Sequence, residues 1–287
     1  MTMLRSLFLL IIITASVNIE ASPEWRWEDR FSSSEKDNLQ EWIMNAEKGL
    51  VTLFGSLPYK YRVHFHRMSR GKGPTPWANT DKQRGRAVHF HVNTNYAWGI
   101  FKKDWTASHE LSHLMFPYLG KGGKWFAEGL ASYLQYQIMY ANNTITWKQA
   151  TNKLAERFNA GSRDRSYGNV SIVNLSNISP KRGAFVRLYW GGAAYFMQVD
   201  KALFEQKNRR LTEIIAAYLQ CCAYQNHNSA EDMIAVFDRI SESDIFTRVY
   251  EQSVMQNGFP ATREALQWLI ENPPVLRQTI GVRVTIR

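Results

Sequence analysis

Cysteine is scarce: 287 residues carry two, adjacent at Cys221 and Cys222. A bridge between sequence neighbours closes almost no loop, so a disulfide-stapled architecture is excluded. The pair is expected as small hydrophobes within a helix over residues 211–224, with a redox or metal role as the alternative. Long apolar runs are also scarce. The only one, residues 7–13, follows Arg5 and precedes the small residues Ala15, Ser16 and Ala21. It falls well short of the roughly 20 apolar residues that span a bilayer. The pattern is that of a secretory signal peptide over residues 1–21, so a secreted or periplasmic protein is expected, with no transmembrane span after signal removal. No cysteine lies near the cleavage point, so a lipid anchor is not expected. Repeats and low-complexity segments are absent. A hydrophobic fraction of 45% and a charged fraction of 21% are ordinary for a folded globular chain.

Charge is not balanced. The formal net charge is +10, and loss of residues 1–21 leaves it unchanged because Arg5 and Glu20 cancel. Much of it lies in residues 60–86, where Lys60, Arg62, Arg67, Arg70, Lys72, Lys82, Arg84 and Arg86 are opposed only by Asp81. In an exported protein such a stretch is either a solvated basic face or a surface for anionic envelope polymers or acidic peptides; nucleic acid is not the expected partner.

Periodicity predicts a small sheet with helices, then a mainly helical second part. A serine run at 32–34 caps a helix over residues 32–53. Tyr61, Val63 and Phe65 alternate with Arg62, His64 and His66, and Val88, Phe90 and Val92 alternate with His89, His91 and Asn93, which predicts two strands. Residues 71–80 read as a Gly/Pro loop. Asp104 or Thr106 caps a helix carrying residues 109–115, Gly120, Gly122 and Gly123 form a turn, and a long helix follows over 125–140. Further helices are predicted over 146–158, 183–205, 211–224, 229–241, 244–255 and 261–271, and a short strand at 282–286. The division is 1–21 signal, 22–141 α+β unit, 142–287 mainly helical unit. Asn142, Asn169, Asn174 and Asn177 open glycosylation sequons, which matter only in a host that glycosylates exported proteins.

The chemistry concentrates at His109-Glu110-Leu111-Ser112-His113. Positions i and i+4 share a helix face, so His109 and His113 can aim at one point. Neutral imidazoles are good zinc ligands, and a glutamate beside the first is placed to act as general base toward a metal-bound water. A chance match of this pattern in such a chain has a probability of roughly one in a hundred. A catalytic zinc needs a third ligand and an open position. Glu128 supplies one if the glycine turn folds its helix back; otherwise it is a first-turn acid favoured by the helix dipole. Gly129 would permit close packing of the two helices, and Trp125 and Tyr133 would pack between them. Ser132 could support Glu128. The four strand histidines could form a second metal site, line a cleft, or be half-exposed strand residues.

Ser108 to His113, followed by Trp125-Phe126-Ala127-Glu128-Gly129-Leu130-Ala131-Ser132-Tyr133, resembles the gluzincin metallopeptidases, closest to the glycyl aminopeptidase family and its alanyl aminopeptidase relatives. The resemblance implies one catalytic zinc on His109, His113 and Glu128, with Glu110 as base, in a gluzincin, thermolysin-like core. Leu188-Tyr189-Trp190-Gly191-Gly192 resembles the segment whose tyrosine holds the oxyanion, which implies that role for Tyr189; a buried helix tyrosine is the alternative. Residues 230–233, 249–250 and 258–260 resemble the helical C-terminal part of these families. Three departures stand out. Fourteen residues separate His113 from Glu128, several fewer than usual in these enzymes. Gly191 replaces the usual lysine. No segment like Gly-x-Met-Glu-Asn precedes the motif; its place holds residues 89–93. A zinc peptidase acting on a peptide or protein is therefore expected, without the aminopeptidase label. In such enzymes substrate adds to an edge strand, for which residues 90–93 are the candidate. A gluzincin-fold binding protein and a zinc hydrolase of a non-peptide envelope substrate remain alternatives.

Overall fold

The computed structural model describes residues 23–82, 85–178 and 184–277. The expected signal segment at 1–21, Arg84 and the strand expected at 282–286 lie outside the described residues. In chain order the elements are β1 (Glu24–Trp27), α1 (Ser33–Phe54), β2 (Arg62–Arg67), β3 (Trp77–Asp81), β4 (Ala87–Val92), α2 (Trp98–Phe101), α3 (Thr106–His113), α4 (Lys124–Ala141), α5 (Trp147–Arg163), α6 (Ile172–Leu175), α7 (Ala184–Lys207), α8 (Leu211–Cys221), α9 (Ala230–Ser241), α10 (Ile245–Met255) and α11 (Arg263–Glu271). The chain is thus mixed α+β, with a small sheet early and helices thereafter.

Local sequence explains most of these elements. Ser32 caps α1 in a box with Glu35: the serine hydroxyl accepts from the Glu35 N–H, and the carboxylate accepts from the Ser32 N–H. Leu39, Trp42, Ile43, Ala46, Leu50 and Leu53 recur at helical spacing and are buried. Thr146 and Ser229 cap α5 and α9 in the same way.

The sheet order is β1-β2-β4-β3. β1, β2 and β4 run parallel, and β3 pairs antiparallel with β4 at the edge. Val63 pairs with Val88 and Phe65 with Phe90, all buried; His64 pairs with His89 and His66 with His91 on the opposite face. Period-two alternation thus gives one apolar face for the core and one imidazole face.

The structure departs from expectation in several places. β1 was not predicted; it is four residues long, and Trp25 and Trp27 stack on Phe65 to anchor it. Residues 71–80 are not all loop, because Trp77–Asp81 forms β3. β4 is flanked by β2 and β3, so residues 90–93 cannot be the edge; β3 is. Cys221 and Cys222 are not free thiols but a disulfide joining neighbours, and α8 ends there.

One apolar core runs from Phe31 to Leu269 through both the sheet and the helices. Its densest helix crossing is that of α4 on α7. A Cβ on Gly129 would lie 2.5 Å from the Gly192 backbone, and one on Gly192 would lie 2.2 Å from the Trp125 carbonyl oxygen. Gly129 therefore packs α4 against α7, not against α3 as expected. Trp125 and Tyr133 also face that way: Trp125 meets Tyr195 edge-on at 5.0 Å, and the Tyr133 hydroxyl donates to Asp200 at 2.8 Å. Among the described residues no helix is long and apolar enough to cross a membrane.

Candidate metal centre and cleft

α3 is buried along its whole length. The expected cap is not formed: the N-cap is Trp105, which makes no side-chain cap hydrogen bond, and Asp104 before it accepts the Thr106 N–H at 2.9 Å. Beyond α3 the chain turns sharply. Gly120 has φ +69°, a conformation that glycine adopts without steric cost. The Leu114 carbonyl is held by the Arg86 guanidinium at 2.8 Å and by the Tyr59 hydroxyl. This tight connection is how fourteen residues suffice to bring α4 back beside α3.

The result is convergence. Glu128 Oε2 lies 3.2 Å from His109 Nε2 and 3.4 Å from His113 Nε2. Among the described residues these three are the only group whose donor atoms come together, all within 4.8 Å of one another. The remaining side of the group opens into a cleft of about 1670 Å³. Two imidazoles and one carboxylate with an open fourth direction suit a tetrahedral divalent ion. Burial acts against the carboxylate charge of Glu128, but the two histidines outweigh it and hold its pKa well below the usual range. Burial likewise lowers His109, yet its bond to Glu128 and the charges of Glu110 and Glu128 reverse the sign and raise it.

Two side chains support the group that the sequence did not single out. Gln135, seven residues after Glu128 on α4, accepts from His109 Nδ1 at 2.8 Å. That bond places the proton on Nδ1 and leaves the Nε2 lone pair free for a metal. Thr80, on the edge strand β3, donates to Glu110 Oε2 at 2.8 Å and lies 3.0 Å from the Glu110 carbonyl oxygen. Ser132 is buried, but no hydrogen bond joins it to Glu128.

Tyr189 reaches the same cleft from α7, its ring stacked 6.4 Å from that of His109. Burial, followed by the charges of Glu128 and Glu110, pushes its pKa far up, so it stays a neutral phenol able to donate. His109, Glu110, His113, Glu128 and Tyr189 all line the cleft, so the structure brings together every residue singled out for the site.

Among the described residues the strand histidines join no candidate metal group. They stack as a row, His64 on His89 at 4.3 Å and His66 on His91 at 4.4 Å, and Trp77 continues it. His66, His89 and His91 form a wall of the cleft. Burial and neighbouring imidazoles lower the pKa values of His89 and His91. The basic stretch is likewise divided. Arg67 is chelated by Glu35 at 2.7 and 2.8 Å, and Arg86 stacks 3.3 Å over the Tyr59 ring. Lys72 and Lys82 turn into the cleft instead. Burial lowers the Lys82 pKa to about 8; Glu128 and Glu110 oppose that shift and Arg86 adds to it.

No family profile matches the chain, and no curated protein sequence matches it. Solved structures do. One is an aminopeptidase N family protein from Idiomarina loihiensis, 14% identical with a TM-score of 0.60, the alignment covering 84% of this chain and 46% of that one. Another is an M1 zinc metallopeptidase from Deinococcus radiodurans, 13% identical with a TM-score of 0.50, covering 82% and 48%. The chain thus has a gluzincin-like fold and spans about half the length of these neighbours.

Proposed function

We propose that this chain is a secreted or periplasmic zinc metallopeptidase with Glu110 as its general base. The observation that carries the proposal is the convergence of His109, His113 and Glu128 at a cleft where Glu110 and Tyr189 are also present. The names of the structural neighbours support zinc and peptide hydrolysis; the signal-like residues 1–21 support export.

Bound at His109, His113 and Glu128, zinc would supply Lewis acidity toward water and a scissile carbonyl. Glu110 takes the proton of the attacking water, its carboxylate oriented by the Thr80 hydroxyl. The neutral phenol of Tyr189 donates to the oxyanion that develops on the attacked carbonyl. Glu110 then hands its proton to the departing amine nitrogen. The oriented Glu110 is what a fold-alike binding protein would not need.

Glu110→Gln should lower peptide turnover by about a thousandfold while the chain still holds one zinc ion, read by metal analysis beside a peptide-library digest. His109→Ala in parallel should lose the metal. A fully active Glu110→Gln protein sinks the mechanism.

A further inference from the structure

We propose that Lys82 is the seat for a substrate carboxylate, so that the cleft selects substrates carrying an anionic group beside the bond that is cut. The inference rests on the peptidase reading and names the substrate class for it.

Lys82 directly follows β3, the strand that borders the cleft, and lies in the cleft wall. An ammonium carries three N–H donors. Among the described residues Lys82 has one acceptor, the Pro117 carbonyl oxygen, at a long 3.4 Å. No carboxylate of the described residues lies within ion-pair distance of it. The two carboxylates whose charge it feels are committed elsewhere. Glu128 faces His109 and His113 at 3.2 and 3.4 Å, and Glu110 accepts from Thr80 at 2.8 Å. Its other charged neighbour, Arg86, is a cation that spends its own donors on the Leu114 and Ala223 carbonyls.

Lys82 is half-buried, and an ammonium that gives up part of its hydration is stabilised by a counter-ion. Here the open valences face the space a substrate would fill. The surroundings agree: Lys72, Lys121 and Lys124 also line the cleft, so its ammonium groups outnumber its carboxylates Asp81, Glu110 and Glu128. The carboxylate could belong to an acidic side chain or to a chain terminus, since either offers the same two oxygens.

The test uses zinc-loaded Glu110→Gln protein and fluorescein-labelled hexapeptides in two matched pairs. One pair differs only as Glu against Gln at a central position; the other differs only as free acid against amide at the C-terminus. Fluorescence anisotropy should show the carboxylate member of at least one pair binding about tenfold or more tightly. The discriminating pair identifies the source of the carboxylate. Adding Lys82→Met should collapse that ratio toward one, and adding Lys82→Arg should largely keep it. Equal binding of both members, or a parallel weakening of both in Lys82→Met, overturns the proposal. Should Lys82→Met fail to fold, the matched pairs on the parent protein decide the substrate class. Turnover of the same peptides by the unmodified enzyme separates the two readings. Cleavage without preference leaves the peptidase standing and removes this inference. Preferential binding without any cleavage keeps Lys82 as a carboxylate seat but removes the peptidase and, with it, the placement beside a cut bond. Neither binding nor cleavage removes both.

Discussion

Gln135 illustrates how much of a candidate metal site lies one contact behind the residues that could bind the ion. Its Oε1 fixes the His109 ring by accepting from Nδ1, inside a region closed to water. Gln135→Leu should leave the fold intact and weaken zinc affinity about 10- to 100-fold, measured by competition with a chelator. An unchanged affinity would remove Gln135 from the site. His109, Glu110, His113 and Glu128 were legible because helical geometry converts a spacing of four into one face, and because the glycine turn announces the return of the chain. Thr80 and Gln135 were not, since their contacts join positions 30 and 26 residues apart. A signal for Gln135 did exist: seven residues after Glu128 is two helical turns, hence the same face. Thr80 offered none, because the strand that presents it was read as loop.

At the scale of elements, apolar periodicity found the long helices, since their burial dictates which residues are apolar. It missed β1 and β3 for a physical reason. Both are edge strands, held by backbone pairing to one neighbour, and Trp-Ala-Asn-Thr-Asp need not alternate to donate and accept along β4. Gly129 marks a close approach in the sequence without saying to what. Here it meets Gly192, and backbone lies against backbone. Neither side can yield as a flexible side chain would. Gly192→Ala should therefore destabilise the protein by about 3 kcal/mol and weaken zinc binding, read by denaturant titration with and without metal. A cost below about 0.5 kcal/mol would show that the two helix backbones do not touch at this crossing.

At the scale of the molecule, one buried ion pair ties distant segments together. Asp200 on α7 accepts from Arg210 at 2.9 and 2.8 Å, from the Leu211 N–H at 2.8 Å and from the Tyr133 hydroxyl. Arg210 in turn binds the Asn272 and Pro273 carbonyls near the far end of the described chain. Asp200→Ala strands a buried guanidinium and should cost about 3–5 kcal/mol in denaturant unfolding; a loss under about 1 kcal/mol would mean water reaches Arg210. The crossing of α4 and α7 acts on this same scale as a pivot. Glu128 adjoins it, and Tyr189 lies three residues away, about 4.5 Å along the axis. A 10° rocking of α7 about that point, taken as a rough illustration, would move Tyr189 by about 0.8 Å but Lys207, fifteen residues out, by about 4 Å. For a swing about that point, the backbone carrying Glu128 and Tyr189 moves least and the far end of α7 moves most.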